Sequence, residues 1–139
     1  MLGLTKRQFL KRSKECLKEI GVQILLLREL MDQEAKKRID RRDAQRKLDN
    51  IRRDIENTFS RYEKLNPPSK CFPLKQKIIQ TLIIFHAAIV FYSESLITAE
   101  EGSDEESRNK LKESADQLQK FRENFLPLCK EVDLNLRKK

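Results

Sequence analysis

The chain has no tryptophan, a single histidine, three glycines and four prolines among its 139 residues. So little glycine and proline leaves few tight turns for a sandwich or a barrel, which argues against a sheet-rich fold. The three cysteines, Cys16, Cys71 and Cys129, are odd in number, far apart and free of any C-x-x-C spacing, and His86 is the one available imidazole. No zinc site is expected from that set. A repeated Glu-x-x-His, as in the di-metal sites of helical bundles, is missing. So are H-E-x-x-H, a Walker loop, a glycine-rich dinucleotide turn and G-x-S-x-G. The reading therefore assigns no catalytic, cofactor-binding or metal-binding residue and expects no enzyme.

The opening residues, Met1 to Lys6, lack the apolar core of a signal peptide, so the expected setting is a reducing cytoplasm with free thiols. The most apolar stretch, Ile78 to Ser93, has no charged residue. At fewer than the roughly 20 residues a bilayer requires, and interrupted by Gln80 and His86, it reads as a buried core helix and not as a transmembrane segment.

What the sequence does have is 37% charged and 38% hydrophobic residues, the latter recurring at helical spacing despite a mean hydropathy of −0.70. Thr5-Lys6-Arg7-Gln8 has the pattern of a capping box, flanked by Leu4 and Phe9 as a hydrophobic staple. The first inward stripe runs through Phe9, Cys16, Ile20, Ile24, Leu27 and Met31. A second runs through Ala44, Leu48, Ile51, Ile55, Phe59 and Tyr62 and stops at Pro67-Pro68, where each proline lacks an N–H and restricts its predecessor. Between the stripes the apolar face is displaced by roughly 140° at 100° per residue, so residues 32–43 are expected to hold a turn, with Asp32 or Asp40 as the next N-cap.

Pro73 opens a third helix whose apolar residues cover most of the cylinder, the pattern of a helix contacted on several sides. The clearest boundary is Gly102-Ser103, followed by Ser103-Asp104-Glu105-Glu106 as a second capping box. A fourth helix carries Leu111, Ala115, Leu118, Phe121 or Arg122, and Phe125, and Pro127 is expected to stop or kink it. The expected fold is an all-α, up-down-up-down four-helix bundle in a single domain, with helices at about 5–31, 41–65, 73–100 and 103–126 and a possible short helix at 128–136. The alternative is one helix of about 60 residues, roughly 90 Å long, packed with two shorter ones, for which dimerisation is the expected outcome.

Charge is unevenly placed. Residues 1–70 hold 19 basic and 11 acidic groups, whereas residues 71–139 hold 11 of each. Two basic clusters stand out as candidate anion contacts: Lys6, Arg7, Lys11, Arg12 and Lys14 in the first helix, and Lys36, Lys37, Arg41 and Arg42 near the first turn. In an up-down bundle the acidic turn Glu100 to Glu106 approaches the second cluster, so the first is expected to remain the freer of the two. His86, between Phe85 and Ala87, reads as a buried imidazole, with Glu94 as a generic companion. Cys16 reads as packing, although its lysine-rich neighbourhood would favour a thiolate if exposed.

With no catalytic constellation and long amphipathic helices, the expected role is binding of a macromolecule, first of all a protein or a second copy of the chain. The alternative is a basic, sequence-tolerant nucleic-acid-binding or regulatory protein, which lacks the aromatic stacking platforms of single-strand binders. An enzyme without a recognisable motif ranks third. Peripheral membrane contact through the first helix is not favoured, because its apolar residues are accounted for as bundle core.

Overall fold

The computed structural model describes residues 3–138, and among them there are four α-helices and no strand: α1 (Lys6–Ala35), α2 (Arg41–Glu63), α3 (Phe72–Glu100), preceded by a 3-10 turn at Ser69–Cys71, and α4 (Asp104–Arg137). The helices form a square, with α1 packed on α2 and α4, α3 packed on the same two, and little contact across the α1–α3 diagonal. This is the antiparallel four-helix bundle. The turn falls at residues 36–40, so the long continuous first helix is not formed.

Local chemistry accounts for most of the helix ends. The Thr5 hydroxyl accepts from the Gln8 N–H at 3.1 Å while the Gln8 side chain accepts from the Thr5 N–H at 2.9 Å, completing the capping box. Asp40 caps α2 by accepting from the Asp43 N–H at 2.8 Å. At the end of α2, the Lys75 ammonium donates to the Glu63 and Leu65 carbonyls at 2.7 and 2.8 Å, satisfying acceptors that the helix leaves free.

The ends of α1 and α3 share one design. Lys37 N–H donates to Glu34 and Arg38 N–H to Gln33, just as Gly102 N–H donates to Ala99 and Ser103 N–H to Thr98. These are Schellman motifs, whose residue after the cap is left-handed. Gly102 takes that position at φ 84 without steric cost, while Lys37 takes it at φ 58.

Two sequence expectations are corrected here, the capping bond of Ser103 and the stop at Pro127. Ser103 occupies the N-cap of α4 but makes no side-chain capping bond, because its ψ of 73° lies far from the extended 164° of Thr5. The Schellman bond to Thr98 holds it there. The acids Asp104, Glu105 and Glu106 still face the positive helix end. Pro127 neither stops nor separates anything: α4 runs through it to Arg137, and residues 128–136 are its continuation. A proline inside a helix costs about 3 kcal/mol. The helix is clamped on both sides, by Phe121 before it and by Leu128 and Val132 after it, all buried, while Pro127 itself is exposed.

The core is built from the inward stripes, with Phe9, Ile20, Leu27, Leu48, Ile55, Ile78, Leu82, Phe85, Ile89 and Phe121 essentially inaccessible. Side chains of this size contribute about 1.5–3 kcal/mol each on burial. Phe85, Phe121 and Phe125 form a ladder with centroids 5.0 and 4.9 Å apart. Close approach of α3 and α4 follows from small residues at their seam. Ser114 Oγ donates to the Ala88 carbonyl at 2.7 Å, and Ser95 and Ser107 exchange bonds with one another's carbonyls at 3.0 and 2.8 Å.

One end of the bundle joins the starts of α1 and α3 to the end of α4: Leu4 N–H donates to Asn66 and the Arg7 guanidinium reaches the Leu136 carbonyl. The other end joins the α1–α2 turn to the α3–α4 turn, where Arg41 lies 3.3 Å from Glu100. The segment Ser69–Glu100 is long and apolar enough to cross a membrane by length and composition, with a mean hydropathy of 1.7 over its most apolar 18 residues. This exceeds the span read from the sequence. Half of that window is buried within the bundle.

Candidate functional site

All nine candidate anion-contacting residues are exposed, and the fold divides them between the two ends of the bundle. At the end holding Lys6, Arg7, Lys11, Arg12 and Lys14, several are engaged: Arg7 with the Leu136 carbonyl, Arg12 with Glu15 at 3.9 Å and Lys14 with Asp133 at 3.2 Å. At the other end Lys36 pairs with Asp32 at 3.1 Å and Arg41 with Glu100. Of the cations expected to face the acidic turn, Arg41 alone forms an ion pair with it. Lys37 and Arg42, with the neighbouring Arg38, form no ion pair within 4 Å among the described residues.

Continuing from Arg42, the outward side of α2 carries Arg46, Asn50, Arg53, Asn57 and Lys64, all exposed. The spacing of three, four or seven residues places them along one line on the side opposite Ala44, Leu48 and Ile55. Three acids of α2 turn elsewhere, and Asp43 pairs with Arg46: Asp54 accepts from Gln23 of α1, Asp49 pairs with Arg52 and accepts from Gln45, and Glu56 meets His86. The basic run is evident in the sequence, whereas this line is not. Its signal was present as the complement of the inward stripe.

His86 corrects the expectation of burial. Its side chain retains 38% exposure, and its Nε2 lies 2.9 Å from a carboxylate oxygen of Glu56 on α2. Glu94 instead pairs with Lys110 at 3.0 Å. The Glu56–His86 pair stands at the rim of a groove of about 340 Å³ between α2 and α3, lined also by Phe59, Ser60, Leu82 and Ile83. A carboxylate that fixes an imidazole is one part of a nucleophilic triad, but no hydrogen bond joins Ser60 to the ring among the described residues.

The cysteines are structural. Cys16 is buried, and burial, together with the nearby Glu19 carboxylate, pushes its thiol up to about 12. The lysine-rich neighbourhood does not activate it, because those lysines lie on the outer face of α1. Cys71 is a buried free thiol. Cys129 is half-buried in a groove against Lys14, Leu17, Lys18 and Gly21 of α1, and burial followed by Asp133 raises its pKa. Among the described residues, no three His, Cys, Asp or Glu side chains converge as a metal-binding group.

A further surface was not anticipated. Val22, Leu25 and Leu26 on the outer turns of α1 are 56%, 64% and 44% exposed. The run Ile24-Leu25-Leu26-Leu27 holds the signal, since four successive residues at 100° each span more of a helix than one face can bury. Ile24 and Leu27 enter the core, leaving Leu25 and Leu26 outside. No protein-family model, curated protein or solved structure matches this chain.

Proposed function

We propose that this protein is a non-catalytic helical bundle that acts by binding another protein, a second copy of itself being the simplest partner, through the outer turns of α1. The observation that carries the reading is the exposure of Val22, Leu25 and Leu26 on a helix whose inward stripe already fills the core. Side chains of this kind gain about 1.5–3 kcal/mol each when fully covered. Neighbouring positions on one helical surface are what helix-on-helix recognition uses. The three free thiols fit a reducing, cytoplasmic setting.

Light scattering over a concentration series, combined with a photo-crosslinker at position 25 and a control crosslinker at position 112 on α4, tests this. A mass that rises above 16.5 kDa and is lost in Leu25→Glu identifies the partner as a second copy. A monomer that crosslinks one distinct protein from position 25, not from position 112, and loses it in Leu26→Glu identifies a different chain. A monomer with no position-specific crosslink overturns the proposal.

A further inference from the structure

We infer that the α1–α2 turn and the outward line of α2 bind the phosphodiester backbone of a nucleic acid. The surface is separate from the apolar turns of α1, and the inference does not depend on the partner proposed for them. Three observations carry it. The line formed by Arg42, Arg46, Asn50, Arg53, Asn57 and Lys64 contains cations and amides and no acid, while Asp49, Asp54 and Glu56 of α2 engage groups beside it or on neighbouring helices. Among the described residues only Arg46 on that line has an ion-pair partner, Asp43 at 3.2 Å. The turn adds Lys37 and Arg38 to the same end, without ion pairs to neutralise them.

Lys37 is informative because of its backbone. It occupies the left-handed position that Gly102 fills in the equivalent motif of α3, a conformation with a steric cost for an L-residue. Glycine would relieve that cost and remove the ammonium. The lysine places a cation at the tip of the turn, next to the Arg42 end of the line.

The line is long enough to meet a polyanion at several points. From Arg42 to Lys64 the helix extends about 33 Å, close to one turn of duplex. Arginine, lysine, asparagine and serine are the side chains that contact phosphate and sugar. Exposed Ser60 adds a hydroxyl beside the line. The absence of aromatic side chains from the line removes base stacking, so recognition is of the backbone and tolerant of sequence. An anionic membrane is less suited, because the line offers no apolar side chain to enter the acyl layer.

The test is fluorescence polarisation of the full chain with a labelled duplex of about 30 base pairs and with one of its strands, titrated from about 25 to 200 mM KCl. Vesicles with and without phosphatidylserine form a parallel arm. Four or five phosphate contacts predict a log–log salt slope of about −4 on duplex. Arg42→Glu/Arg53→Glu is expected to weaken binding roughly tenfold or more at low salt, and Arg42→Gln/Arg53→Gln to weaken it less. Lys112→Glu/Lys120→Glu, with the same change in net charge on exposed positions of α4, is expected to change it less than about threefold. Circular dichroism verifies that each variant is helical, and the glutamine pair supplies the comparison if the reversed pair is not.

No binding at low salt overturns the inference. Equal losses from the α2 and α4 variants also overturn it, by reducing the effect to net charge. Selective binding to phosphatidylserine vesicles with the same dependence on Arg42 and Arg53, and none to nucleic acid, reassigns the surface to a membrane and overturns it as well.

Discussion

Two tyrosines of equal size isolate the value of a buried hydrogen bond in this core. Tyr62 exchanges a 2.7 Å bond with Ser13, whereas the Tyr92 hydroxyl, also buried, has no partner among the described residues. Removing one member of a buried bond strands the other, at about 1–3 kcal/mol, while removing an unpaired hydroxyl leaves nothing stranded. Tyr62→Phe is therefore expected to lower stability by about 1–2 kcal/mol in urea unfolding, and Tyr92→Phe to leave it unchanged or raise it. Equal losses from the two would contradict the assignment.

The thiols give a pH-dependent counterpart. An unfolded Cys16 ionises near its ordinary value of 9.0, whereas burial holds the folded thiol protonated up to about 12. Its contribution to stability is intact below pH 9 and is lost as pH rises from there toward 12, because the unfolded state releases the proton first. In the native protein at about pH 9, Cys129 should alkylate before Cys16. Peptide mass spectrometry after a short iodoacetamide pulse reads the order, and early modification of Cys16 would show that α1 is not packed as described.

At this scale the sequence was informative about burial and poor at pairing. The packing of Cys16 followed from its place in the first stripe. The exposure of His86 and its meeting with Glu56 did not, because apolar neighbours along α3 conceal which face meets α2, and the partner lies on another helix.

Helix termini were legible where the chemistry is local. Thr5 and Asp40 cap because the acceptor and the N–H it serves lie within three residues, so the pattern carries the structure. Ser103 has the same pattern, but the preceding Schellman turn fixes its backbone in a conformation that a capping bond does not accept. Pro127 was misleading for a tertiary reason, since only packing of α4 on both sides of it outweighs the local cost.

Two substitutions test these elements. Lys37→Gly should raise stability by about 1 kcal/mol by releasing the left-handed lysine, and at the same time weaken nucleic-acid binding if the turn holds phosphate. Pro127→Ala should raise stability by about 1–3 kcal/mol, since an N–H is restored toward the Glu123 carbonyl. A loss of thermal stability in Lys37→Gly would show that the turn is not left-handed in solution. A loss in Pro127→Ala would show that a proline-induced bend is needed for α4 to pack.

For the whole molecule, four amphipathic segments with short connections define an antiparallel bundle from sequence alone, because each apolar stripe requires a neighbour and the turns set which neighbours are adjacent. The two surfaces proposed for recognition were harder to see. They lie on what the inward stripes leave behind: apolar Leu25 and Leu26 on α1, and the acid-free line on α2. Both functional proposals require that the inward residues of α3, such as Ile78, Leu82, Phe85 and Ile89, stay inside the bundle, since the positions of the other three helices are set around them.

Amide hydrogen exchange on the purified, detergent-free protein tests that requirement most directly. The account predicts that residues 78–91 are among the slowest to exchange in the chain, opening only with global unfolding. Rapid exchange across that segment in water, with protection appearing only when lipid or detergent is added, would contradict it.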